Sequence, residues 1–161
     1  MTSPVQDGQN YRVVKRKIGV RILLTDKRVI DGEFYAAEEH LNGQPGTVLD
    51  RLRDPREKYL PLAADDRHVM LSKAQIVTVR LKEDDVGRPQ ALSVSEFRIL
   101  IDMTIGPRLE ASFFALSRPA RARVLDHLNY AKEAFFPIFQ DDCAILVNAN
   151  HVVAVAEQTE V

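Results

Sequence analysis

The chain has 161 residues, enough for one ordinary domain or two very small ones. Its 45% hydrophobic and 28% charged residues exclude a disordered polymer, and no run approaches the roughly 18 apolar residues of a helical membrane span, so no membrane partner is expected. The net charge is 22 − 23 = −1, yet residues 1–82 carry 15 Lys/Arg against 11 Asp/Glu (+4) and residues 83–161 carry 7 against 12 (−5). A basic half is therefore joined to an acidic one.

Residues 1–10, "MTSPVQDGQN", lack the basic-then-apolar order of a secretory signal and read as a flexible tail. A cytoplasmic location is expected, since the single Cys143 cannot form an internal disulfide. The segment "YRVVKRK" (11–17) places one aromatic among four cations, Arg12, Lys15, Arg16 and Lys17. With Arg21, Lys27, Arg28 and Lys73 it could form a phosphate-binding stripe. The competing reading is a solvated strand edge, where cations prevent unwanted pairing.

"VRILLT" sends Val20, Ile22 and Leu24 to one face, as a half-buried strand does. "TDK" turns it into a second strand, "RVIDGEFYAA", in which Gly32 permits close backbone approach. A short helix containing Leu52 ends at Pro55. Strands "EKYLPL", "HVMLS" and "QIVTVRL" follow, with Asp65-Asp66 at a hairpin turn. "EDDVGRPQALSVSE" (83–96) reads as a polar linker.

The remainder repeats this order. Sliding Val48–Val79 by 76 positions onto Val124–Val155 needs no gap and leaves ten of 32 pairs identical, among them Asp50/Asp126, Leu52/Leu128 and Pro61/Pro137. Upstream, "RILL" (21–24) matches "RILI" (98–101), and "VIDGEFYAA" (29–37) matches "RLEASFFAL" (108–116), which puts Ala111 at the place of Gly32. This reads as a tandem duplication, with a first unit at 11–82, the linker, a second unit at 97–157 and a tail at 158–161. The second helix is expected to be capped by Ser117, to hold Pro119 in its first turn, and to bury Val124, Leu125 and Leu128. Asp50, Leu52, Pro61, Asp126, Leu128 and Pro137 are assigned structural roles, the two aspartates as backbone caps or partners of an arginine.

Five short strands in about 60 residues imply a small, partly open β-barrel. "VRILLTDKRVIDGEF" resembles the first signature of the Sm-like superfamily, the LSm and Hfq-type barrels. "VMLSKAQIVTV" and "ILVNANHVVAV" resemble its second, two strands joined by a one-turn connector. "EEHLN" (38–42) and "LDHLN" (125–129) each resemble a further Sm stretch. Where that family carries Arg-Gly or a related basic pair in the connector, this chain has Ser72-Lys73 and Asn148-Ala149, and its inserted helices are not standard. The resemblance implies a mainly β fold with short helices (α+β): two tandem five-stranded Sm-like barrels, each with an inserted helix. It also implies barrels that pair through their fourth and fifth strands. "HVMLS" and "AILVN" are then the expected open edges, and the charge split favours head-to-tail homo-oligomers, a ring of three chains by analogy with six-barrel rings.

His127, His151, Asp126 and Cys143 share the second half, but their counterparts are Arg51, Gln75, Asp50 and Arg67, and no pair has a metal-ligand or catalytic spacing. The paired aspartates offer too few oxygens for a cation. No catalytic residue, metal or cofactor is assigned, and the chain reads as a non-enzyme. The expected function is a binding or assembly module that acts through exposed strand edges and charged faces, with a protein partner or a second copy. The alternative is an Sm-like RNA-binding protein that uses the basic N-terminal segment.

Overall fold

The computed structural model describes residues 15–37, 47–86, 94–116, 124–130 and 132–158. The fold is mainly β, with two short helices. In chain order the elements are β1 (Lys15–Leu24), β2 (Val29–Ala37), α1 (Val48–Arg53), β3 (Tyr59–Ala64), β4 (Arg67–Ser72) and β5 (Ile76–Lys82). There follow β6 (Val94–Met103), β7 (Leu109–Leu116), α2 (Val124–Tyr130), β8 (Phe135–Gln140), β9 (Cys143–Asn148) and β10 (Val152–Glu157). One 3₁₀ turn, Lys73–Gln75, joins β4 to β5, and another, Ala149–His151, joins β9 to β10. The order strand, strand, helix, strand, strand, 3₁₀ turn, strand thus occurs twice.

Local sequence accounts for most boundaries. Ile18, Val20, Ile22 and Leu24 alternate on the buried face of β1, so the strand begins at Lys15 rather than Val20 and takes in part of the basic segment. At the β1–β2 turn Lys27 adopts φ 72°, while Asp26 Oδ1 accepts the Arg28 amide at 3.0 Å. Asp65 and Asp66 take φ 48° and 59° in the β3–β4 hairpin, the left-handed pair that a two-residue turn of this hand requires. Thr47 and Asp50 form a capping box on α1: the Asp50 amide donates to Thr47 Oγ1 at 3.0 Å and the Thr47 amide to Asp50 Oδ2 at 3.3 Å. Pro55 follows directly on the C-cap, Asp54. β6 starts at Val94, inside the expected linker. Ser117, Pro119 and the "EEHLN" stretch lie outside the described residues.

The strands form a single antiparallel sheet in the order β10-β6-β7-β8-β9-β5-β1-β2-β3-β4. The expectation of two small barrels is met in its strand content, but this ten-stranded sheet is not closed. It narrows to one paired position at β2·β3 (Glu33↔Ala63) and at β7·β8 (Ser112↔Phe139). At the first of these, a Cβ on Gly32 would lie 2.7 Å from the Ala63 carbonyl oxygen and 2.8 Å from Leu62 Cδ2, so glycine is what lets β3 approach β2.

Two apolar clusters fill the interior. The first joins β1–β5 and α1 and also takes Phe135, Phe139, Ala144 and Leu146 from the second half. The second comprises residues of the second half, including Ile99, Ile101, Phe113, Phe136, Ile138, Ile145 and Val147. β8 and β9 are thus buried on both faces, one in each cluster. Leu52 is buried in the first cluster, whereas Leu128, expected in the core, is only half-buried against the second. Leu52→Ala should therefore cost about 2–5 kcal/mol in urea unfolding, and Leu128→Ala clearly less. Gly32→Val should cost about 1–3 kcal/mol in the same assay, because the Ala63 backbone cannot yield as a flexible side chain would.

Candidate interaction edges

The pairing of β5 with β9 joins the two halves, in the register Thr78↔Val147, Val79↔Leu146, Arg80↔Ile145, Leu81↔Ala144 and Lys82↔Cys143. "AILVN", expected at an open edge, is therefore an interior strand. Its two faces are apolar because each has a core to enter: Leu146 and Ala144 pack into the first cluster, Ile145 and Val147 into the second. Asn148, almost fully buried, donates from Nδ2 to the Ile76 carbonyl at 2.8 Å and the Lys73 carbonyl at 3.4 Å. His151 Nε2 lies 2.8 Å from the Ala74 carbonyl, which makes it the donor nitrogen of that ring. Arg53 Nε reaches the Phe135 carbonyl at 3.0 Å, and Arg80 Nη1 reaches Gln140 Oε1 at 3.1 Å and Cys143 Sγ at 3.3 Å.

Among the described residues, β4 and β10 form the open ends of the sheet. β4 is the "HVMLS" strand anticipated as an edge, and β10 takes the place of "AILVN". Each end carries uncovered apolar surface: Met70 on β4 is 65% exposed, Tyr59 beside it on β3 is 51%, and Val153 on β10 is 66%. Val29, at the start of β2, is the remaining large exposed apolar residue among the described residues. Among the described residues no strand pairs with the outer side of either end, where a further strand would add.

Four of the eight cations anticipated as a phosphate stripe stand beside carboxylates. Arg16 pairs with Asp85 at 2.5 Å, Lys17 with Glu33 at 3.7 Å, Arg21 with Asp31 at 2.7 Å and Arg28 with Asp26 at 2.6 Å. Lys17 also lies 5.9 Å from the centre of the Tyr35 ring. Lys27 is exposed in the β1–β2 turn, and Arg12 lies outside the described residues. Lys73 is only 8% exposed, and its Nζ donates to the Arg51 carbonyl at 2.5 Å and the Asp54 carbonyl at 3.1 Å. It thereby holds the last carbonyls of α1, and desolvation pulls its pKa below the usual lysine value.

His127 sits against Phe97 and Phe113, with ring centroids at 6.4 and 6.3 Å, and its buried Nε2 has no hydrogen-bond partner among the described residues. His127, His151 and Cys143 do not converge, and no group of three metal-ligating side chains is found among the described residues. A cleft of about 500 Å³ lies between the halves beside Arg53, Lys58, Tyr59, Asn148 and Asn150. Asp54, on its rim, is held down to about 2 by the Arg56 guanidinium and by the Arg56 amide, which donates to Oδ1 at 3.0 Å. No helix among the described residues is long and apolar enough to cross a membrane. Comparison with protein-family models, curated proteins and solved structures found no match to this chain.

Asn148→Ala should destabilise the protein by about 1–3 kcal/mol in urea unfolding, since two carbonyls lose their donor in a buried site. For Asp54, a folded-state pKa below the unfolded one means stability that is present above about pH 4 and lost as pH falls toward 2. Carboxyl titration by NMR should find that midpoint near 2 and see it rise in Arg56→Ala.

Proposed function

We propose that the chain is a non-enzymatic binding or assembly module, built as two tandem Sm-like units whose sheets run into one another, and that it acts by strand addition at β4 and β10. The observation that carries this reading is the position of Met70, Tyr59 and Val153, three of the four large exposed apolar side chains among the described residues, at the two ends of the sheet. Such residues on an open edge supply side-chain pockets beside a row of backbone donors and acceptors, which is what a docking strand needs. The twofold order of elements, each with a 3₁₀ connector before its last strand, supports the tandem reading. The ion-paired cations of β1 and the buried Lys73 lend little to RNA binding through the basic segment.

A photo-crosslinking amino acid placed at Met70 or Val153 of the full chain, expressed in cells, tests the proposal. Protein adducts should form at both positions and not at Val29, which is also more than half exposed but away from the ends. Equal yields at all three positions would remove the edges as the interaction site. Nucleic acid in the adducts, or an absorbance ratio of the purified protein typical of bound RNA, would favour the RNA-binding alternative.

A further inference from the structure

The two helices hold equivalent places in their halves, but they are not equally secured. In both halves the connector before the last strand is tied by the same backbone bond. The Lys73 amide donates to the Lys58 carbonyl at 3.0 Å, and 76 residues on the Ala149 amide donates to the Ala134 carbonyl at 2.7 Å. The side chains then diverge. Three cations tie α1 down: Lys73 Nζ donates to the Arg51 and Asp54 carbonyls, Arg53 Nε donates to the Phe135 carbonyl at 3.0 Å, and Arg51 pairs with Glu57. Their counterparts are Ala149, Asn129 and His127. Ala149 is exposed and offers no donor to the end of α2, Asn129 is exposed, and His127 Nε2 is buried with no hydrogen-bond partner among the described residues. α1 also buries Val48, Leu49 and Leu52, whereas in α2 Val124 is buried and Leu128 only half-buried. The first amide of α2, at Val124, donates to Glu157 Oε1 of β10 at 2.8 Å.

What α2 covers is aromatic. His127 lies against Phe97 and Phe113, and Phe113 meets Phe136 edge to face at 6.0 Å. β6, which carries Phe97, pairs with β10, so these rings adjoin Val152 and Val155, the partly buried margin of the second cluster. Resting on the strand-edge reading above, we propose that α2 is a displaceable cover. Closed, it shields Phe97 and Phe113; open, it adds those rings to the apolar surface offered beside β10. Glu157 couples the two, because the strand that takes a partner also holds the first amide of the helix. Opening releases one short helix and leaves every strand pairing in place, so it requires far less free energy than global unfolding. α1 has no such freedom: its three cationic ties hold it, and the cluster it packs on is completed by Phe135 and Leu146 from the other half.

Val48 and Val124 occupy the same place in the two helices and are 0% and 1% exposed, which makes them matched reporters. In a full-length Cys143→Ser background, a water-soluble thiol reagent should label Val124→Cys at least about a hundredfold faster than Val48→Cys, as the loss of two or three hydrogen bonds from charged donors implies. The Val124→Cys rate should be nearly independent of low urea concentrations, while the Val48→Cys rate follows global unfolding. Ala149→Lys restores a donor for the His127 and Tyr130 carbonyls, the counterparts of Arg51 and Asp54, and should slow labelling at position 124 by about tenfold. Amide hydrogen exchange in the wild type makes the same comparison without a cysteine variant: Leu128, Asn129 and Tyr130 should exchange through a local opening, and Leu52, Arg53 and Asp54 only through global unfolding. In cells, Ala149→Lys should lower the crosslinking yield at Val153 severalfold and leave that at Met70 unchanged. Equal labelling and exchange in the two helices, or a rate at position 124 that Ala149→Lys leaves unchanged, would overturn the cover. So would a clamped chain that labels slowly yet forms Val153 adducts at full yield. Absence of adducts at both Met70 and Val153 in a chain whose α2 still opens would instead overturn the strand-edge reading, and the opening itself would stand.

Discussion

The ladder between β5 and β9 is the contact on which the molecule depends, because it makes one sheet of two five-stranded halves. It buries both faces of β9 at once, and Phe135 and Leu146 leave their own half to enter the core of the other. Fully burying side chains of that kind contributes about 1.5–3 kcal/mol each. The hydrogen bonds of Asn148 to the Ile76 and Lys73 carbonyls then fix the connectors of the two halves to each other. Part of the first cluster is therefore supplied by the second half of the chain.

That dependence explains the character of the two ends. A strand pairing that serves as a permanent internal joint benefits from the high effective concentration of two covalently linked partners. An intermolecular joint of the same kind lacks that benefit and pays the entropy of association. The side chains follow the same division: the buried Asn148 amide and the exposed Arg80 guanidinium clamp the internal joint, while the open ends keep apolar residues flanked by Arg67, His68 and Glu157. Charges at an edge oppose indiscriminate strand addition and still permit a complementary one.

Much of the strand pattern was legible locally. The alternation of Val20, Ile22 and Leu24, the Asp65-Asp66 turn and the stop at Pro55 are properties of short segments, and each lies where the sequence predicts. The functional reading of the cations was less legible. Nothing in "YRVVKRK" or "TDKR" states that Asp85, Asp31 and Glu33 will stand beside Arg16, Arg21 and Lys17, because those carboxylates are brought there by turns and cross-strand register. Lys73 is the clearest case. In sequence it is one more cation in a connector, and only the packing of α1 against that connector turns it into a donor to the Arg51 and Asp54 carbonyls.

The sequence by itself determined the elements, their twofold order and the positions at which apolar residues recur, because period-two alternation, turn chemistry and an ungapped 76-residue register act within short stretches of chain. It also held a trace of the joint in the unbroken apolar runs of β8 and β9, which a strand buried on only one face would not need. Only the tertiary structure decided which strands meet. β9 pairs with β5 and leaves β10 at the end of the sheet, so "AILVN" lies inside and "HVVAVAE" outside, although both are short β-branched runs of the same kind. The reason is physical: strand propensity specifies that a segment will pair, whereas the identity of its partner depends on which distant edge presents the apolar face that the segment can bury.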